Sequence, residues 1–175
     1  MELPSFRYHP DPVATGSVKP SGAVCECCGK ARGFIYDGPT YGPREVGPLC
    51  PWCIASGAAH EASGVSFTDT DEIIDEVPDD AVEEVETRTP GFSGWQQERW
   101  LGHHGDACAF LGPAGYSEVE AYGSPDLRAS LSWDLGWPED EFAEYYVGLD
   151  REGQPTAYVF RCLHCGTLLG YSDFT

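Results

Sequence analysis

The carboxy-terminal segment TAYVFRCLHCGTLLGYSDF alternates apolar and polar positions and is rich in β-branched and aromatic residues. This pattern is typical of β-strands. A tight Cys-x-x-Cys-Gly turn interrupts it at Cys162 and Cys165. The segment therefore predicts a β-hairpin whose turn is a zinc knuckle.

Three other segments have helical patterns. Glu139–Val147 has acids in its first turn and aromatic residues on adjoining faces, which favours a helix. Trp95–Leu101 follows a Pro-Gly turn, and Ser93 is its expected cap. The sequence Cys50-Pro51-Trp-Cys53 is expected to open a third helix, because proline suits the first helical position.

An acidic connector separates two expected modules. The segment TDTDEIIDEVPDDAVEEVE carries ten acids and no base, and its aliphatic residues suggest a solvated ribbon with apolar anchors. We divide the chain into an arm (1–21), a first zinc module (22–66), the connector (67–87) and a second module (88–175). The chain contains no apolar run of about 18 residues and no export signal, so we expect no membrane contact.

Composition indicates a fold of short elements. The chain has 175 residues, of which 21 are glycine and 14 are proline. Bound metal can replace part of a small core in such proteins. We expect a small, zinc-stapled α+β protein with an amino-terminal treble-clef-like module and a carboxy-terminal α+β module that ends in the knuckle hairpin.

The charge restricts the possible partners. A formal net charge of −19 should repel nucleic acid and attract basic protein surfaces. Acidity that only maintains solubility is the alternative interpretation.

Cysteine spacing indicates metal binding in a reducing cytoplasm. Six of the eight cysteines form three Cys-x-x-Cys pairs. We find no export signal, which would have favoured disulfides instead of metal binding. Two such pairs supply the four tetrahedral ligands that zinc prefers. The first predicted site is made of Cys25, Cys28, Cys50 and Cys53, in the treble-clef order of knuckle, hairpin and helix. The hairpin is expected as a strand, turn and strand over residues 32–41.

Two alternatives remain for this first quartet. Cys50 and Cys53 could form a redox disulfide of the thioredoxin type, although no βαβ pattern precedes them. Cys27 could replace Cys25 or Cys28 as a ligand, but the 25/28 pair has the usual two-residue gap followed by glycine.

The second predicted site lacks a second Cys-x-x-Cys pair. Cys162 and Cys165 need ligands from elsewhere, and we select His104 and Cys108, with His103 as the other candidate. Two added ligands would close a structural site, whereas one would leave a position for water, as in catalytic zinc. The simpler interpretation is that Cys108 is a buried apolar residue and that one histidine only bonds to a carbonyl group.

Four segments of the chain are long and unusual: FRYHPDPVATGS, CECCGKARGFIYDGPTYG, LCPWCIASGAA and RTPGFSGWQQERWLGHHGDACAFLG. At these segments the chain resembles the bacterial CbrC family, which is named for a colicin-tolerance protein. It implies a cytoplasmic role in tolerance to a protein toxin or to envelope stress, without a defined reaction. The family pattern has His-Cys where this chain has His103-His104, which favours position 104 as a ligand.

Two functions compete on these grounds. The first is a noncatalytic, zinc-stabilised binding protein with two zinc ions, whose acidic surface engages a basic partner such as a nuclease toxin. The second is a zinc-dependent hydrolase that uses the second site, with Asp106 or Glu98 as general base. Thiolate-rich sites are usually structural, so we favour the first.

Overall fold

A computed structural model describes residues 2–69 and 77–175, which form a small α+β fold with two small sheets. The elements of these residues, in chain order, are β1 (Val18–Pro20), β2 (Phe34–Tyr36), α1 (Pro51–Ala55), α2 (Ala58–Ser63), α3 (Asp79–Arg88), β3 (Ala109–Ala114), α4 (Tyr116–Tyr122), α5 (Pro125–Leu135), α6 (Glu139–Val147), β4 (Thr156–Arg161) and β5 (Leu168–Asp173).

The first sheet differs from the predicted strand-turn-strand over residues 32–41. Strand β2 pairs with β1 from the arm, and Val18 lies opposite Tyr36 in this pairing. The first knuckle belongs to the segment of chain that connects the two strands. After β2 the chain turns away, and Tyr41 pairs with Ser66 instead. Pro39 lacks the N–H donor that a returning ladder would need.

The helix predicted after Cys50 is divided in two. Helix α1 begins at Pro51, as expected, and ends at Ala55. Gly57 then adopts a left-handed conformation, with φ of 79°, and precedes α2. Glycine tolerates this conformation without a steric penalty.

The second sheet contains the predicted hairpin. Strand β4 lies between β3 and β5 and is antiparallel to both. Tyr158 and Phe160 of β4 face an aromatic cluster, whereas Ala157 and Val159 face a cluster formed with the helices. Because β4 is covered on both faces, the carboxy-terminal module is built around this strand.

Helix α5 packs on the outer edge of this sheet. Its Ser130 hydroxyl donates to the Gly170 carbonyl at 2.8 Å and accepts from the Gly170 N–H at 3.1 Å. These bonds satisfy edge groups of β5 that have no neighbouring strand. A Cβ atom on Gly170 would lie 2.9 Å from a methyl group of Leu127, so glycine permits this close approach.

The predicted helix over Trp95–Leu101 is wrong, and so is its Ser93 cap. The segment has no helical turn. Its backbone N–H groups bond to side chains of the second sheet: Trp95 donates to Tyr158, Gln96 to Asp173 and Arg99 to Tyr171. Tertiary partners have replaced the intrahelical ones.

Part of the acidic connector is helical, not the expected ribbon. Helix α3 covers Asp79–Arg88 and buries Ala81 and Val85 against the aromatic cluster. Val85 thus acts as one of the expected apolar anchors. Ile73 and Ile74 lie outside the described residues, and the proposed domain boundaries stay a prediction.

The arm contributes to the core. Tyr8 is fully buried in the aromatic cluster, and His9 packs edge-on against Phe110 at 5.1 Å. His9 Nδ1 lies 2.7 Å from the Pro90 carbonyl, which can only accept, so Nδ1 carries the proton. None of the helices in the two described ranges combines the length and apolar character needed to cross a membrane.

Burial of His9 predicts a pH-dependent stability. It lowers the pKa of His9 from 6.5 to about 4, so protons bind more readily to the unfolded chain between these values. The contribution of His9 to stability should therefore fall by about 3 kcal/mol as pH drops through this window, and no further below it.

Urea denaturation at several pH values would test this. His9→Gln should flatten the wild-type curve between pH 6.5 and 4, and the matched variant His60→Gln should retain its slope. Parallel curves for wild type and His9→Gln would contradict the expected role of His9.

Candidate metal centres

The structure gathers cysteine and histidine side chains into two sets, which we call cage 1 and cage 2. Cage 1 is made of Cys25, Cys28, Cys50 and Cys53. Cage 2 is made of His103, His104, Cys162 and Cys165. In each set the four donor atoms lie within 4.8 Å of one another, so one metal ion could contact them all.

The two Cys-x-x-Cys-Gly knuckles share one backbone pattern. The Cys25 N–H donates to the Lys30 carbonyl, and the Cys162 N–H donates to the Thr167 carbonyl. Gly29 and Gly166 donate back to Cys25 and Cys162, and both glycines have positive φ. This turn directs both thiols of a pair to the same side.

Cage 1 joins the first knuckle to the start of α1. Cys50 occupies the N-cap of this helix, and its N–H donates to Cys25 Sγ at 3.2 Å. The sulfur atoms of Cys25 and Cys53 are 3.9 Å apart, as are those of Cys28 and Cys50. These separations exceed a disulfide bond, which is about 2.05 Å. All eight cysteines are free.

Cage 1 is mostly buried. Three of its cysteines lie in the amino-terminal hydrophobic cluster, and only Cys28 is part-exposed. Burial raises the pKa of Cys50 and of Cys53. A cation here must therefore displace protons, because the thiolate is the ligand form. Cys27 lies outside the four donors, which favours the predicted 25/28 pair.

Cage 2 joins a tight turn to the second knuckle. His103 N–H donates to the Asp106 carbonyl, and His104 and Gly105 have φ of 56° and 69°. These angles are those of a two-residue hairpin turn. His104 is the one non-glycine residue with positive φ in the described ranges. Such uncommon conformations cluster at functional sites.

The donor geometry of cage 2 pairs each thiol with one imidazole. Cys162 Sγ lies 3.8 Å from His104 Nδ1, and Cys165 Sγ lies 3.7 Å from His103 Nδ1. The Thr167 hydroxyl and backbone N–H lower the pKa of Cys165 to about 7. This favours the thiolate that a metal requires. In contrast to cage 1, His104 and Cys165 are exposed to solvent.

The set of donor atoms that the structure brings together differs from the sequence-based expectation at one residue. Cys108 was expected in this site, but His103 takes its place among the four donors. Cys108 is fully buried in the aromatic cluster, and burial raises the pKa of its thiol to about 12. The Cys108 N–H bonds to Leu101 across the turn. Sequence reasoning gave His103 less weight than His104 and Cys108. Gly105 directly after His104 is the signal of a tight turn that could have favoured His103.

Asp106 connects cage 2 to the arm. Its carboxylate accepts from Tyr8 at 2.7 Å, from Arg7 at 2.6 Å, from His164 at 3.0 Å and from the Ala107 N–H at 2.9 Å. Burial opposes ionisation, but the hydrogen bonds from Tyr8 and His164 hold the pKa of Asp106 below its usual range. Sequence reasoning missed this role of the arm.

The two suggested general bases are both engaged in hydrogen bonds. Asp106 accepts the four bonds just described. Glu98 is buried and accepts from the Tyr41 hydroxyl of the first module. Burial raises the pKa of Glu98. Both carboxylates therefore hold parts of the chain together.

The fold and the cages define a small α+β protein with two four-donor sets of thiols and imidazoles that could each hold a metal ion. The model of a family described as an uncharacterised protein family, UPF0167, matches residues 3–174, and the chain belongs to this family.

Similar relatives come from different bacteria. UPF0167 protein Mb2317 of Mycobacterium bovis is 49% identical over 178 residues, which cover 99% of this chain and 94% of that protein. UPF0167 protein PA1536 of Pseudomonas aeruginosa is 46% identical over 176 residues, which cover 99% and 98%. No solved structure matches the chain. The resemblance to the CbrC family, and the toxin tolerance that it implies, stay predictions.

The difference between His103 and Cys108 can be tested by metal content. His103→Ala should lower the metal bound per chain by about one equivalent, because it removes one of four donors. Cys108→Ala should bind as much metal per chain as the wild type and should only reduce the packing of the aromatic cluster. Mass spectrometry of elements in the purified proteins measures both. The opposite result would restore Cys108 as the ligand.

Proposed function

We propose that both cages hold Zn²⁺ and that the protein is a noncatalytic, zinc-stabilised binding protein whose acidic surface engages a basic protein. The single observation that carries the zinc assignment is the spacing of the donors. Around tetrahedral zinc with Zn–S bonds of about 2.3 Å, sulfur atoms lie about 3.8 Å apart. In cage 1 the sulfur atoms of Cys50 and Cys53 are 3.6 Å apart, and those of the Cys25–Cys53 and Cys28–Cys50 pairs are 3.9 Å apart.

Cage 2 fits the same ion with mixed ligands. With a Zn–N bond of about 2.0 to 2.1 Å, sulfur and nitrogen ligands lie about 3.6 Å apart. The two sulfur–nitrogen separations here are 3.8 and 3.7 Å. Four soft or borderline donors per cage favour zinc over calcium or magnesium, which prefer oxygen.

Zinc would give each module its architecture. In the first module a knuckle, strand β2 and helix α1 follow one another, and Cys50 and Cys53 lie at the helix start. We interpret this order as a treble-clef-like zinc site. In the second module the ion would fasten the His103–Asp106 turn to the knuckle of the terminal hairpin.

A structural role explains the cages better than hydrolysis. Four protein donors fill the tetrahedral shell, whereas catalytic zinc keeps one position for water. Thiolate ligands also reduce the positive charge on the ion that would activate water. The exposure of His104 and Cys165 favours the hydrolase alternative, because it would admit water to cage 2. The hydrogen bonds that engage Asp106 argue against it.

The partner class follows from charge and resemblance. A protein of net charge −19 attracts basic surfaces over roughly a Debye length of 8 Å at physiological salt. The likeness to the CbrC family suggests tolerance to a protein toxin, and nuclease toxins bind a polyanion and so carry basic surfaces. A reducing cytoplasm, our expected location, would keep the thiols available for zinc.

The two zinc ions should leave the protein at different rates. A chelator reaches the exposed donors of cage 2 more easily than the buried donors of cage 1, so release should be biphasic. A coloured chelator such as pyridylazoresorcinol reports each equivalent by absorbance. His103→Ala should remove the fast phase alone. A single phase, or a fast phase that persists in His103→Ala, would overturn this order.

The charge hypothesis can be tested with a purified basic nuclease domain of a protein toxin as the probe. Raising salt from 50 to 500 mM should reduce the association rate by about tenfold or more, with little change in dissociation. Asp79→Asn with Asp80→Asn in the connector should also slow association.

The matched control is Glu45→Gln with Glu152→Gln, which removes the same charge elsewhere on the surface and should have the smaller effect. Association that ignores salt, or the absence of binding at 50 mM salt, would contradict the proposal. X-ray absorption that shows an oxygen ligand on zinc would favour the hydrolase.

A further inference from the structure

The outer face of α5 carries a groove that the cages do not use. It has a volume of about 730 Å³, and its wall includes Arg128, Ala129, Ser132, Trp133, Trp137 and Glu139. The first four of these residues lie on one side of α5, because residues three or four positions apart share a helix face. The opposite side buries Leu127 and Leu131.

Trp133 projects into solvent. It is 89% exposed, the highest value among the exposed large apolar residues of the described ranges. Trp137 is 38% exposed and is held by edge-on contacts with Tyr145 at 5.1 Å and Phe174 at 6.4 Å. Covering an exposed indole ring with a partner removes apolar surface from water and lowers the free energy of the complex. Tryptophan is accordingly enriched among residues that dominate binding.

The one basic side chain of the groove is already neutralised. Arg128 pairs with Glu139 at 2.7 Å, and its guanidinium group lies over the Phe142 ring at 5.1 Å. Arg128 therefore adds little repulsion against an incoming cation.

The surrounding segment is strongly acidic. Residues 124–147 contain six acids and one base. Exposed Asp140 and Glu141 follow Glu139 in the first turn of α6. A groove with exposed indole rings in an acidic segment matches a cation that can also stack on aromatic faces.

We propose that this groove binds an arginine-rich segment of the basic protein partner, with guanidinium groups stacked on the exposed indole ring of Trp133 and their charge balanced by the acids of α6. The inference rests on the proposed function and names its contact surface. Arginine suits this surface better than lysine, because its planar group is less strongly hydrated and stacks on aromatic rings. A second copy of this chain is disfavoured, since two molecules of charge −19 repel each other.

The contact and the long-range attraction affect different rate constants. Surface charge sets the association rate, whereas a buried aromatic contact sets dissociation. Trp133→Ala keeps every charge, so it should accelerate dissociation and leave association unchanged. Substitution of so exposed a side chain should also leave the fold intact, which circular dichroism can verify.

The probes are two labelled twelve-residue peptides of equal charge, one with alternating arginine and serine and one with alternating lysine and serine. Binding to the zinc-loaded full chain is measured by fluorescence anisotropy and stopped flow at 50 mM salt. The arginine peptide should bind several-fold more tightly than the lysine peptide. Trp133→Ala should weaken arginine-peptide binding about tenfold. The matched variant Tyr122→Ala, at an exposed tyrosine on α4, should change it less than twofold.

Three outcomes would overturn the groove assignment. If Trp133→Ala binds the arginine peptide like wild type while salt still weakens binding, the groove is wrong and the acidic binding function stands. If neither peptide binds at 50 mM salt, the groove assignment fails, and the acidic binding function fails with it only if the basic nuclease domain does not bind either. If sedimentation shows a dimer that Trp133→Ala dissociates, the groove belongs to a second copy of the chain.

Discussion

In both modules, the position of several segments is constrained by the convergence of four donor atoms on one point. Each cage brings together two segments that are distant in sequence, and a bound ion would fasten them: Cys25 and Cys28 meet Cys50 and Cys53, and the His103–His104 turn meets the terminal knuckle. Most elements here are short, and the first sheet has only three residues in each strand. Small cores of this kind supply little stability, so metal binding would contribute free energy that packing does not provide.

Hydrogen bonds extend this fastening to the rest of the chain. Asp106 lies beside cage 2 and holds both Tyr8 of the arm and His164 of the knuckle. The segment after Gly94 is held in the same way, because its N–H groups donate to Tyr158, Asp173 and Tyr171. Polar side chains of the second sheet thus organise irregular backbone that forms no ladder of its own.

The proposed metal sites and the proposed binding groove occupy separate parts of the molecule. The cages lie at the two knuckles, whereas the tryptophan groove lies on the outer face of α5. Acidic charge is spread over the sequence and is densest in the connector, which carries ten acids and no base. The exposed ring of Trp133 is a local feature that charge alone does not explain. Attraction and specificity would therefore have different structural origins.

The sequence by itself determined the two knuckles, the terminal hairpin and helix α6, because two-residue cysteine spacing, strand alternation and acids in a first helical turn act over a few residues. Seven of the eight residues that the structure gathers into the cages were selected from the sequence, and His103 was a candidate that was not selected. Only the tertiary structure decided which of His103 and Cys108 lies among the donors of cage 2. The turn at His104 and Gly105 brings His103 to the cage, whereas Cys108 lies in the hydrophobic core. The tertiary structure likewise decided that no helix forms at Trp95–Leu101, because backbone N–H groups of this segment donate to side chains of the second sheet.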